Sequence, residues 1–115
     1  MKEQIRRAVA FALLAPESEN IERTLYSYAE NRRSKKSGKR HDFFDHDAGV
    51  RVAGKDGKLY HYGEWSYIEL NVSGAKFSGF DHGSKTHFQG VIKGQLVQVY
   101  DHGEKRYFDY AAEQS

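Results

Sequence analysis

The sequence predicts an α+β protein: an N-terminal helical pair, then an antiparallel β meander of roughly 7–8 short strands forming a small barrel or roll. Three observations carry this. Turn signals arrive about every ten residues beyond residue 41. An aromatic–Asp–His phrase stands at Phe44-Asp45-His46, Phe80-Asp81-His82-Gly83 and Tyr100-Asp101-His102-Gly103, each time closing an apolar run. Before residue 31 the apolar residues follow helical rather than alternating spacing.

Residues 2–14 read as a helix, with Ile5, Val9, Phe11, Ala12 and Leu13 on its apolar side and Lys2, Glu3, Arg6 and Arg7 toward water. Pro16 marks its end, because it biases Ala15 away from helical angles. The basic start and short apolar stretch have some look of a secretion signal, but an amphipathic helix is the better reading. A second helix is expected from a Ser18 cap, with Ile21, Leu25 and Tyr28 at i, i+4 and i+7. Glu17, Glu19 and Glu22 in its first turns and Arg32 and Arg33 at its end suit the helix dipole.

The segment 31–40, NRRSKKSGKR, has no apolar residue and reads as a linker or mobile loop. The chain therefore divides into a helical segment over 1–31, a basic linker over 32–41 and an antiparallel β domain over 42–111. In that domain Asp56-Gly57, Ser73-Gly74 and Lys93-Gly94 are hairpin turns in which glycine supplies the strained φ. Ile68, Leu70 and Val72 alternate with Tyr67, Glu69 and Asn71, which predicts a strand with one buried and one wet face. The Asp-His phrases begin at unequal intervals, 44, 80 and 100, so they suggest reused corners or an old hairpin duplication rather than a solenoid repeat. The Gly, Tyr and Asp-Gly punctuation resembles that of short hairpin-repeat proteins such as the MORN class, whose repeat pattern is not met.

The 115 residues suit one domain, and 14% aromatic content argues against disorder despite 30% charged residues. The chain has no cysteine, which excludes disulfides, thiolate metal sites and cysteine nucleophiles and fits a reducing, cytoplasmic setting. No apolar run reaches the length of a transmembrane helix. Net charge is −1 over residues 1–30, +6 over 31–40 and −3 over 41–115.

That distribution makes Arg32, Arg33, Lys35, Lys36, Lys39 and Arg40 the candidates for binding a nucleic acid or another anionic macromolecule. The acidic sheet would repel such a ligand, so contact is expected through the basic segment. His46, His82 and His102 are candidate ligands for a divalent metal if the three corners converge; as turns, the same phrases need no metal. No P-loop, G-x-S-x-G elbow, dinucleotide fingerprint or H-E-x-x-H spacing is present. The sequence thus points to a non-catalytic binding or adaptor protein. The alternatives are a metal-dependent or carboxylate-based enzyme at the Asp-His turns and an oligomerising subunit, a homodimer paired through the N-terminal helices.

Overall fold

The computed structural model describes residues 1–16, 19–55 and 57–114. It shows one helix, α1 (Glu3–Leu14), and ten strands: β1 (Ile21–Ser27), β2 (Arg32–Lys39), β3 (Asp42–Asp45), β4 (Val50–Lys55), β5 (Lys58–His61), β6 (Ser66–Ser73), β7 (Lys76–Asp81), β8 (Thr86–Lys93), β9 (Leu96–Asp101) and β10 (Arg106–Gln114). Each strand pairs antiparallel with the next, and β1 also pairs with β10, which closes the sheet into a barrel. Closure leaves no strand edge open to a further chain.

The helix fills the barrel. Every residue from Ile5 to Leu13 is buried, so no side of α1 faces water. The Phe11 ring lies 4.7 Å from that of Phe43 on β3, and the Arg6 guanidinium stands 3.7 Å over the Phe108 ring on β10. Inward residues of the strands, among them Leu25, Val52, Leu59, Ile68, Phe88 and Val99, complete the core. A helix apolar nearly all round belongs in a core rather than on a sheet. It ends where expected: Ala15 is extended ahead of Pro16, and its N–H still donates to Phe11 O.

The second helix does not exist. Residues 21–27 form β1, with Leu25 and Ser27 buried and Glu22, Thr24 and Tyr26 on the other face. Spacing at i and i+4 satisfies period two as well as period 3.6, and pairing on both sides settles which is realised. The proposed cap Ser18, with Glu17, lies outside the described residues, as does Asp56 of the Asp-Gly turn.

The stretch read as a linker is also a strand. β2 pairs with β1 and β3, and Ser34 and Lys36 point inward. Lys36 is fully buried, its Nζ donating to Ser34 Oγ (2.9 Å) and standing 3.4 Å from Asp45 Oδ2. Burial pushes its ammonium pKa below the ordinary value, although Asp45 opposes the shift. A strand without apolar residues is tolerated here because its backbone is paired on both sides and its buried charge has a partner. The helix likewise offers no outward apolar face to a second copy.

The two barrel ends differ. At one end consecutive strands are joined by two-residue loops, with Gly74 (φ +62°) and Gly94 (φ +60°) in left-handed conformation. At the other end, five four-residue corners follow Ser27, Asp45, His61, Asp81 and Asp101. Each corner has a left-handed residue in its fourth place: Asn31, Gly49, Trp65, Lys85 and Lys105. All five leading residues are buried and cap the turn that follows. Asp45 Oδ1 accepts from the amides of Asp47 and Ala48, Asp81 Oδ1 from Gly83, and Asp101 Oδ1 from Gly103 and Glu104. His61 Nδ1 accepts from Glu64 N, and Ser27 Oγ from Glu30 N. The Asp-His steps are therefore bends, as expected, and belong to a fivefold set rather than a threefold one.

Candidate functional site

The same corners set up the outer surface. The residue before each leading polar group faces outward, and so does the residue after it. That yields five ring pairs around one rim: Tyr26–Tyr28, Phe44–His46, Tyr60–Tyr62, Phe80–His82 and Tyr100–His102, with centroids 4.8–5.1 Å apart. Alternation along a strand explains this: when the corner residue turns inward to cap, its neighbours must turn outward.

On the β6–β10 side the outward residues fall into cross-strand rows. Asn71 pairs with Ser78, Ser78 with Gln89, Gln89 with Tyr100 and Tyr100 with Tyr107. This row spans five strands, about 19 Å at the usual strand spacing. Toward the rim lies Glu69–Phe80–His87, with His102 N donating to His87 O (3.1 Å). On the far side lies Ser73–Lys76–Val91–Gln98–Asp109.

Two clefts open over these rows, of about 510 and 710 Å³, and share Asn71, Ser78 and Gln89. Their size is that of ordinary ligand sites. Gly79 and Gly90 let the sheet bend beneath them: a Cβ on Gly90 would collide with the carbonyl oxygen of Gln98, and one on Gly79 with that of Glu69. The Phe88 ring covers Gly79 and the Phe77 ring covers Gly90 from the core side.

The chemistry of this face is mostly uncharged. Asn71, Ser78, Gln89 and Gln98 each offer both donors and acceptors, and Phe80, His87, Tyr100 and Tyr107 offer rings. Among the described residues, Glu69 is the one carboxylate lining the two clefts, its Oε2 2.6 Å from His82 Nε2, and Lys76 the one lysine or arginine.

The basic candidates are distributed differently. Arg32 pairs with Asp47 (2.7 Å), Arg33 with Glu113 (2.8 Å) and Lys35 with Glu22 (3.0 Å). Lys36 is internal. Lys39 is half-buried, opposite Asp42 in the β2–β3 pairing. Arg40 Nε donates to the carbonyls of Ala12 and Ala15, capping the C-terminal end of α1. Much of the charge concentrated in 32–40 thus meets carboxylates or backbone carbonyls within the fold.

The histidine candidates do not converge as a trio. His82 and His102 line the larger cleft with His87, whereas His46, with Nε2 2.7 Å from Ser37 Oγ, sits at the β3–β4 corner, four strands from β7 around the barrel. Among the described residues no group of three or more His, Asp or Glu is arranged to hold a metal ion. Asp45 and Asp47, two residues apart at one Asp-His turn, part company: Asp45 faces the interior toward Lys36 and Asp47 meets Arg32.

Comparison with protein-family models, curated proteins and solved structures finds no match to this chain.

Proposed function

We propose that the protein is a non-catalytic binding module that holds a neutral, hydroxyl-rich chain, an oligosaccharide, across the outer face of β6–β10. The observation that carries this reading is the row Asn71–Ser78–Gln89–Tyr100–Tyr107. Sugar hydroxyls both donate and accept, which matches carboxamide and hydroxyl side chains, and the C–H faces of a sugar ring match tyrosine rings. A polyanion would ask for a run of cations, and among the described residues lining the two clefts Lys76 is the one lysine or arginine. Binding rather than hydrolysis is favoured because glycoside hydrolysis ordinarily uses two carboxylates flanking the bond. Glu69 on β6, engaged by His82, and Asp109 on β10, opposite Gln98, stand four strand spacings apart, about 19 Å, too far to flank one bond.

The test is calorimetric titration with neutral hexasaccharides of glucose, xylose, mannose and N-acetylglucosamine. One of them should bind, and Gln89→Ala with Gln98→Ala should weaken it about tenfold or more while leaving the thermal midpoint within a few degrees. Equal affinity in the double variant, or binding by none of the four, would reject the reading.

A further inference from the structure

Four of the five corners fill their left-handed position with residues for which that conformation is ordinary or solvent-facing: Asn31, Gly49, Lys85 and Lys105. The fifth places Trp65 there, at φ +55° and 74% exposed. A bulky residue at positive φ is strained, and an indole in water contributes little burial in return. The fold has no visible use for it.

Trp65 also does not stand alone. Its ring lies 6.5 Å from that of Tyr62, which is 4.9 Å from Tyr60, which is 4.8 Å from Tyr67. Trp65, Tyr62 and Tyr67 are all exposed. Arg51, held by Asp42 through two hydrogen bonds of 3.0 and 3.1 Å, stands over Tyr62, and Lys58 stands 4.5 Å over Tyr67. The cations steady the rings from the side of β4 and β5. The platform runs into the groove: Tyr67 and Glu69 share the outer face of β6, and His82 N donates to Tyr67 O (3.0 Å).

We infer that Tyr62, Trp65 and Tyr67 form an outlying subsite for the same saccharide chain, stacking on sugar units that have passed beyond Glu69. This rests on the groove being the primary site. The platform on β5–β6 and the row residue Gln89 on β8 are two to three strand spacings apart across the sheet and at least four residues apart along it, roughly 16 Å or more, so only a chain of several units touches both. The subsite therefore sets preference for length rather than for sugar type.

The test uses Trp65→Asn, since Asn31 already occupies the equivalent corner, and compares the hexasaccharide that binds with its disaccharide. Trp65→Asn should lower hexasaccharide affinity about tenfold and leave disaccharide affinity unchanged. Loss in equal proportion for both lengths, or for neither, overturns the inference. Gln89→Ala separates the two proposals: it should weaken both lengths. If Gln89→Ala acts on both lengths and Trp65→Asn on neither, the groove stands and the platform falls. If Trp65→Asn weakens the hexasaccharide and Gln89→Ala has no effect, the rings bind and the groove reading falls. If no saccharide of either length binds, both fall.

Discussion

Arg6 Nη1 donates to Asp101 Oδ2 at 2.8 Å, with both side chains out of water, and this pair ties the enclosed helix to a corner of the barrel wall. Asp101 also meets the amino group of Met1 and caps its own turn. Burial works against its charged form, yet the Glu104 and Gly103 amides, Arg6 and the amino group outweigh it and hold the carboxyl below the usual range. Asp101→Ala leaves the buried Arg6 guanidinium with Glu3 alone, strips the Met1 amino group of its acid and removes the turn cap, and should cost about 3–5 kcal/mol. Asp81 is the control, because it caps the equivalent turn and, among the described residues, forms no ion pair. Asp81→Ala should cost about 1–2 kcal/mol. Urea denaturation of the two variants checks the difference, and equal losses would show that the pair to Arg6 adds nothing.

Acidification should weaken the fold before the carboxylates titrate. Burial lowers the pKa of His61, opposed by Glu64, Asp45 and Asp81 and reinforced by Lys36. A histidine whose folded pKa is depressed binds fewer protons folded than unfolded, so stability falls as pH drops below its ordinary value near 6.5. Below that range the depressed Asp101 loses its contribution as well, as pH falls through the carboxylate region. Chemical denaturation at pH 7.5 and 5.5 should show lower stability at 5.5. In His61→Asn, whose amide oxygen can still accept from Glu64 N, that difference should shrink. An unchanged difference would place the sensitivity elsewhere.

Trp65→Asn should leave the fold as stable as before or more stable, by up to about 1–2 kcal/mol, since it removes a strained left-handed tryptophan at little loss of burial. The melting temperature decides it. A clear drop would mean that the indole supports the corner and that its exposure is not a sign of binding.

Gly90→Ala should be among the most damaging single-methyl additions. The new carbon meets the Gln98 carbonyl and the Phe77 ring, so β8 and β9 must separate and Phe77 must move as well. Gly49→Ala places its methyl in open space and carries only the strain of φ +68°. The first should cost more than the second, which should stay near 1–2 kcal/mol. Thermal unfolding of both gives the order.

The sequence reading succeeded where local chemistry was sufficient. Ser-Gly and Lys-Gly dipeptides marked hairpins, Pro16 marked the end of the helix, and the Asp-His steps were turns because aspartate reaches its own following amides. It failed where tertiary pairing overrode local pattern. Ile21 and Leu25 fit either period, and the polar stretch from Arg32 to Lys39 became a strand because its neighbours supply backbone partners and Asp45 supplies a counter-charge for Lys36. The kinship of two corners with the Asp-His set stayed hidden because Ser27 and His61 stand where the others have Asp; the flanking rings, Tyr26–Tyr28 and Tyr60–Tyr62, were the remaining signal. The groove was not legible at all, since Asn71, Ser78, Gln89 and Gln98 are adjacent only through register.

Amide chemical-shift mapping of the isotopically labelled protein, titrated with the four hexasaccharides, tests the outer-face site most directly. One ligand should produce saturable shifts at Asn71, Ser78, Gln89, Gln98 and Tyr107, fading toward β1–β3. Shifts centred instead on residues 32–40, or no saturable shift with any of the four, would contradict it.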